Sequence, residues 1–431
     1  MPLFSAPVTT KKSHKHEIFA TQQFLLHCNI KAPNAFNDQL SARLPVPGTS
    51  VCGTSGQQKD TQLAGTLKSY LDGLANWNIS GIGKPGSGGT KKINLALQGG
   101  GAHGAFTWGV VDQLLADDRL EIVGISGASA GAINAVMVAD GLARGGREEA
   151  RKRLADFWRA ASAGGDLPPI QRAVTDRLFS LMPFAATPMQ NWFEAMAHYF
   201  SPYELNPLNI NPLQDLIARF VDFEAVRASD FALFIAATNV HTGRLRIFSR
   251  ETITAEAVMA SAALPFMFRA VEIDGTPYWD GGYMGNPAIF PFLQSADSED
   301  VVVVQINPVA RATTPRTSSE IINRLNEITF NSAMISELRA MDFANQLIDD
   351  GRLQRGTGKN QYRKLNIHRI HLGGLGTRLT ASSKMKTDFD FFELLHRAGQ
   401  RAAHRFLDQH FDDIGRQSTL DLAAESGVEW A

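Results

Sequence analysis

Ser129 lies between Gly127 and Gly131, the G-x-S-x-G spacing of a nucleophile elbow. Such an elbow is a sharp strand-to-helix turn that holds a hydroxyl clear of the sheet, and glycine at the flanking positions lets neighbouring backbone pass closely. The segment Ala130 to Val138 continues with a helical pattern. A serine there sits at a helix N-terminus, where free N–H groups and the helix dipole favour a developing oxyanion. The chemistry this position suits is acyl transfer, with Ser129 as candidate nucleophile.

A second glycine-rich turn comes first in the chain: Gly99, Gly100, Gly101, Ala102, His103 and Gly104, entered from Ile93-Asn-Leu-Ala-Leu97 and left through a helical pattern. Successive glycines can aim several backbone N–H groups into one concavity. Acyl transfer needs donors about 3 Å from the oxygen of the tetrahedral intermediate, so this loop is the candidate oxyanion hole. Gly99, Gly101 and Gly104 also satisfy G-x-G-x-x-G, the dinucleotide fingerprint. That fingerprint requires an acidic residue at the C-terminal end of the next strand, whereas Glu121 stands at that strand's start. A nucleotide-binding role is accordingly the weaker reading, and no cofactor is expected.

A serine hydroxyl is a poor nucleophile until a base takes its proton. Asp280 is the candidate base, because it ends a strand-like run and is followed by Gly281 and Gly282, which let the backbone bend and approach closely. An Asp-Gly-Gly turn is also a common hairpin device. A rival base is imidazole, from His368 or His371, which would make a Ser-Asp-His hydrolase.

The elements that must position these groups are readable from periodicity. Strands are expected at Ile93–Leu97, Ile122–Ser126, Phe231–Asn239, Arg244–Ser249 and Val301–Ile306, the last a continuous apolar run typical of a buried parallel strand. The stretch 270–282 reads as a strand, a turn at Asp274-Gly275 and a returning edge that delivers Asp280. Ala257–Leu264 reads as a helix stopped by Pro265. Two further helices should cover the sheet, one presenting Ile321, Leu325, Ile328, Ile335, Leu338 and Leu347, the other Phe391, Leu395, Ala398, Ala402 and Phe406. Residues 178–200, rich in aromatics and Met and interrupted by Pro183 and Pro188, fit a buried helical hairpin or an acyl-chain pocket wall or lid.

The three blocks Gly-Gly-Gly-Ala-His-Gly, Gly-Ala-Ser-Ala-Gly and Asp-Gly-Gly occur in an order and context that closely resemble the patatin-like phospholipase family, over about residues 91 to 310. The resemblance implies an α/β fold, a three-layer α/β/α sandwich with a central mostly parallel sheet. It also implies a catalytic dyad of Ser129 and Asp280 without histidine, the Gly99–Gly104 loop as oxyanion hole, and acyl esters of lipids as substrates. Phospholipid or another acyl ester would be met through peripheral membrane contact. The family usually carries Arg or Lys where this chain has His103, so a weaker or pH-dependent positive field near the oxyanion is expected.

The chain of 431 residues is 44% hydrophobic and 20% charged, a globular composition, and 42 Lys plus Arg against 43 Asp plus Glu leave nothing global that points to nucleic acid. Cys28 and Cys52 provide neither a disulfide framework nor a metal cluster, so a reducing compartment is expected and no metal site. The N-terminus does not read as a secretory signal, and no apolar run approaches the length of a spanning helix. A cytoplasmic protein, peripheral at most to a membrane, is the expectation. By this reading residues 1–90 form an N-terminal extension and linker, partly flexible, residues 91–411 the catalytic domain, and residues 412–431 a loose tail. A non-catalytic lipid- or nucleotide-binding regulator on the same fold is the alternative of a different class.

Overall fold

The computed structural model describes residues 90–162, 201–295, 297–356, 361–377, 379 and 382–426. The expectations for residues 1–89, for 178–200 and for the last five residues lie outside the described residues.

The strands of the central sheet are β1 (Lys91–Leu97), β2 (Leu120–Gly127), β3 (Ala232–Asn239), β4 (Leu245–Ser249), β5 (Val271–Ile273), β6 (Thr276–Asp280), β7 (Asp300–Gln305) and β8 (Asn366–His371). They form one sheet in the order β8-β7-β1-β2-β3-β6-β5, with β4 also paired to β3. The pairs β8–β7, β7–β1, β1–β2 and β2–β3 are parallel, and the pairs involving β4, β5 and β6 are antiparallel. The parallel strands are apolar on both faces, as strands covered on both sides must be: every residue of β7 is buried, and so are the last five of β1.

Helices α1 (Gly104–Ala116), α2 (Ala130–Ala160, broken at Gly146 with φ 75°), α3 (Ala255–Ala262), α4 (Ser318–Asp349) and α5 (Phe389–His410) cover the sheet. Strand alternation sorts them between the faces. Ala96, Val301, Val303 and Ile367 pack with Met334, Leu338 and Met341 of α4. The next residue after Ile367, His368, points to the opposite face, where its ring meets Phe406 of α5. The result is a three-layer α/β/α sandwich with a mostly parallel central sheet, as the resemblance implies.

Two expectations are corrected. In α4, Leu338 is buried as expected, but Ile321, Leu325 and Ile328 are exposed, as is Ile322. The buried stripe runs instead through Phe330, Met334, Leu338, Met341 and Ile348, so the helix covers the sheet only beyond its first two to three turns. The apolar period is helical at both ends, and spacing alone cannot tell which turns have a sheet beneath them.

Residues 412–426 are also not a loose tail. Ile414, Leu420 and Leu422 are buried, the N–H groups of Thr419 and Leu420 donate to the Ile367 carbonyl, and Arg369 bridges Glu425 at 2.7 Å. The Gly415 N–H donates to Asp300 Oδ1 at 2.8 Å. This segment closes the outer edge of β8, and edge pairing leaves little periodic signal in so short a stretch. The Asp274-Gly275 hairpin forms as read, with φ 50° and 72° at its two central residues, the left-handed pair of a two-residue hairpin turn.

Candidate active site

The site is assembled on one edge of β3. β2 pairs with the first half of that edge and ends at Gly127 opposite Ile235. β4 occupies the other edge, overlapping both partners in register, so β6 must continue where β2 leaves off. β6 arrives with Asp280 opposite Ala237, two residues beyond the end of β2. Ser129, two residues past Gly127, and Asp280 are thereby carried to the same place from segments about 150 residues apart in the chain.

Ser129 adopts φ 54° and ψ −124°, a conformation that non-glycine residues rarely occupy and that costs on the order of 1–3 kcal/mol. Surrounding contacts hold it there. A Cβ on Gly131 would stand 2.2 Å from the Leu97 carbonyl oxygen, and one on Gly99 would stand 2.7 Å from the Cβ of Ser129. The elbow is pressed against the end of β1 and the glycine loop, which only unsubstituted positions allow. The Ser129 N–H donates to the carbonyl and the hydroxyl of Ser261, at 3.1 and 2.9 Å. The C-terminal end of α3 grips the base loop as well, since the Asp280 N–H donates to the Ala263 carbonyl at 2.9 Å.

Asp280 is fully buried. Its Oδ1 accepts the Gly282 N–H at 2.7 Å, while Oδ2 is sealed from solvent and closes no aligned hydrogen bond. Burial pushes its pKa up to about 7, against the Gly282 N–H, the Ser129 hydroxyl and the charge of Lys384, each of which favours the anion. Hydroxyl and carboxylate are thus within interaction range without the alignment of a closed hydrogen bond, a common state of catalytic pairs without substrate.

In the glycine loop three of the six N–H groups are already engaged. Gly99 donates to Asn286 Oδ1 at 2.6 Å, His103 to the Gly100 carbonyl, and Gly104 to the carbonyls of Gly101 and Ala102. Gly100, Gly101 and Ala102 find no acceptor among the described residues, and neither does the N–H of Ala130, the residue after the serine. The candidate donors therefore narrow to Gly100, Gly101, Ala102 and the first turn of α2.

His103 does not follow the pH-dependent alternative of its expectation. It is buried, its Nε2 lies 2.7 Å from Ser383 Oγ, and burial followed by the charge of Lys384 pushes its pKa down to about 3. The imidazole is neutral at any ordinary pH, so it supplies no pH-dependent positive field.

Four residues of this site went unread in the sequence: Ser261, Asn286, Asn307 and Lys384. Asn286 is fully buried and joins Gly99 to the Phe330 carbonyl at 3.1 Å. Its place six residues after Asp280 in Asp-Gly-Gly-Tyr-Met-Gly-Asn-Pro was a usable signal, since an Asn amid glycines can brace backbone. Asn307 donates to the Gly99 carbonyl at 2.8 Å from the end of β7. Replacing Asn286 with Ala leaves the Gly99 N–H buried without an acceptor, which costs about 1–3 kcal/mol. The expected result is a lower melting temperature together with slower phosphonate labelling of Ser129; an unchanged labelling rate would separate loop bracing from reactivity.

The rival assignments do not assemble. His368 is buried on β8, with Nε2 3.0 Å from Asp300 Oδ1 and Nδ1 3.1 Å from Thr419 Oγ1. The His371 ring accepts the Gly373 N–H. Neither makes a hydrogen bond to Ser129 or Asp280 among the described residues. Against a dinucleotide, Glu121 is exposed at the start of β2, and the close approach that Gly99 permits is taken by Ser129 and the Ala128 carbonyl. Among the described residues no His, Cys, Asp or Glu group is arranged to hold a metal ion, and no helix is long and apolar enough to cross a membrane.

Residues 95–293 match the family model described as patatin-like phospholipase, and that stretch of the chain is similar to this family. No curated protein sequence gives a significant match. Among solved structures, the chain is similar to VipD from Legionella pneumophila, at 16% identity over 74% of this chain and 67% of that one, with a TM-score of 0.32. It is also similar to the type III effector ExoU, at 15% identity over 74% of this chain and 53% of that one, with a TM-score of 0.28. A further similarity is to the heterodimeric ExoU–SpcU complex of Pseudomonas aeruginosa, at 15% identity, 78% and 75% coverage and a TM-score of 0.27. The chain spans about half the length of the ExoU chain in the second of these.

Proposed function

We propose that this patatin-like domain is a serine carboxylic-ester hydrolase acting on lipid acyl esters, of phospholipase A or lysophospholipase type, through a dyad of Ser129 and Asp280. The observation that carries the reading is the strained Ser129 elbow set against a buried carboxylate whose Oδ2 lacks a closed hydrogen bond.

In the mechanism, Ser129 Oγ attacks the ester carbonyl carbon as its proton passes to Asp280 Oδ2. The N–H groups of Gly100, Gly101 and Ala130 receive the oxyanion. Collapse of the tetrahedral intermediate breaks the ester C–O bond, and the leaving alcohol or lysolipid takes the proton from Asp280. Water then attacks the acyl-enzyme, giving its proton to Asp280, and a second collapse returns that proton to Ser129 with release of the fatty acid. Only groups of this chain are required.

A base raised to about 7 by burial is well matched to neutral pH, being strong enough to accept the proton and still substantially ionised. Contact with a lipid surface is supported by Phe266 and Met267, which are exposed on the turn that follows Ala263, the residue whose carbonyl holds Asp280.

The test is labelling of the full chain with a fluorophosphonate, peptide mapping of the adduct, and fatty-acid release from a short-chain ester and from phospholipid vesicles. Adduct on Ser129 together with release from either substrate is expected. A folded protein that neither labels nor releases acid, yet binds vesicles, would replace the hydrolase with the binding regulator.

A further inference from the structure

Lys384 belongs to a short helical turn, Ser382–Met385, far from the three glycine blocks in sequence, yet it lies in the wall of the site. Its Nζ donates to Asn307 Oδ1 at 2.7 Å, and Asn307 Nδ2 donates to the Gly99 carbonyl at 2.8 Å. Its backbone carbonyl crowds Gly101, where an added Cβ would approach it to 2.4 Å. The ammonium lies 5.3 Å from the centroid of the Phe330 ring, and the Lys384 side chain shares a small pocket with His103, Asn307 and Glu327.

The nearby charges show what this cation balances. Glu327 of α4 is already bridged by Arg311 and by Arg324, the latter at 3.1 Å. Lys384 makes no salt bridge with a carboxylate among the described residues. Its electrostatic partners are Glu327 and Asp280, which favour its charge, against Arg311, which opposes it, while the facing His103 is neutral. Glu327, the larger of the two, is shared with two guanidinium groups, and Asp280 is the other anion whose field favours the Lys384 charge.

We propose that Lys384 is the charge-positioning residue of the reaction, the cation that balances Asp280 before proton transfer and the substrate oxyanion after it, in place of a basic side chain at position 103. This rests on the hydrolase reading above. During acylation the negative charge moves from the Asp280 carboxylate to the substrate oxygen. A fixed ammonium held through Asn307 at the glycine loop, its field reaching Asp280, keeps the charge of the site balanced throughout, so no uncompensated charge is buried at any stage. The bond to Asn307 holds the ammonium in register with the Gly99 carbonyl, so the same residue fixes the loop whose N–H groups face the oxyanion. Burial draws the Lys384 pKa down to about 8, so the charge would be lost on the alkaline side of neutrality.

Kinetics of a short-chain ester against pH test this, in wild type, Lys384→Met and Lys384→Arg, with thermal melting as the control for folding. Lys384→Met should lower kcat by about 10- to 100-fold with little change in KM, the range seen when one charge-stabilising contact is removed. Its acidic limb should move upward, because Asp280 without a neighbouring cation is harder to ionise. Lys384→Arg should keep the acidic limb and shift the alkaline limb, near pH 8 in the wild type, by more than about one unit, since a guanidinium does not deprotonate in this range. Lys384→Cys treated with bromoethylamine should regain activity, with wild type treated alike as the control for Cys28 and Cys52.

An acidic limb that stays in place in Lys384→Met, or an alkaline limb that stays in place in Lys384→Arg, overturns the proposal. The second criterion holds even if the neutral variant does not fold. Wild type that turns over ester through Ser129 while Lys384→Met matches it rejects this inference alone. Wild type without Ser129-dependent turnover rejects the hydrolase reading, and this inference with it.

Discussion

Ser129→Ala and Ser129→Gly should both lose ester turnover by about 10⁴- to 10⁶-fold, the scale on which a covalent nucleophile is missed, and neither should take up a fluorophosphonate. The two differ in stability. Alanine inherits φ 54° and ψ −124° with its Cβ still in place, whereas glycine relieves the strain. The relief, on the order of 1–3 kcal/mol, exceeds the ~0.5–1 kcal/mol that glycine's freedom costs in the unfolded chain. Ser129→Gly should therefore melt above Ser129→Ala, and the comparison is clean because both lack the hydroxyl. A residual rate within tenfold of wild type would place the nucleophile elsewhere. Equal melting temperatures would mean that the elbow stores no strain.

Asp280→Asn is expected to reduce turnover by about 10³- to 10⁴-fold, as when a base is replaced by its amide without change of shape, while making the protein more stable at neutral and alkaline pH. The sign follows from proton linkage. Burial raises the folded pKa from 3.8 to about 7. Below pH 3.8 the carboxyl is protonated in both states and has no differential effect. As pH climbs towards about 7, the unfolded chain releases this proton while the folded one keeps it, so stability falls across that window and stays lower above it. Asparagine never ionises and escapes the loss, a few kcal/mol at most from roughly three pKa units at about 1.4 kcal/mol each. It also keeps an oxygen for the Gly282 N–H. Melting curves of both proteins at pH 5 and pH 8 should show the gap widening at the higher pH. A gap of the opposite sign at pH 8 would mean that the anion is stabilised in the fold and that Asp280 is no tuned base. For the wild type, kcat/KM should rise with pH through about 7 as the base ionises.

These predictions concern residues whose types and local turns were readable in the chain. The G-x-S-x-G spacing around Ser129 encodes an elbow because each glycine meets a backbone atom that a side chain would strike, and Gly131 against Leu97 shows the collision directly. The Asp274-Gly275 hairpin, the apolar run of β7 and the helix stopped before Pro265 were equally legible, each set by neighbours in sequence. Residues whose role depends on distant chain were not. Nothing around Lys384 in Ser-Ser-Lys-Met-Lys distinguishes it from a solvated surface lysine, and its burial follows from the path of the segment that packs against Gly101. The exposed first turns of α4 were missed for the same reason in reverse, since their apolar spacing is helical whether or not a sheet lies beneath.

By itself, then, the sequence determined the two glycine turns, with Ser129 in the second of them, the Asp-Gly-Gly turn that carries Asp280, and the order of strands and helices, because those depend on dihedral preference and short-range sterics. The tertiary structure alone decided that β6 takes over the edge of β3 where β2 ends, which brings Asp280 to Ser129. It alone decided that Asp280 is dry enough to titrate near neutrality, that His103 is silent, and that a lysine from the far end of the chain stands beside the loop. Desolvation and charge pairing depend on which atoms surround a group in space, and that is fixed only when strands distant in sequence share one edge.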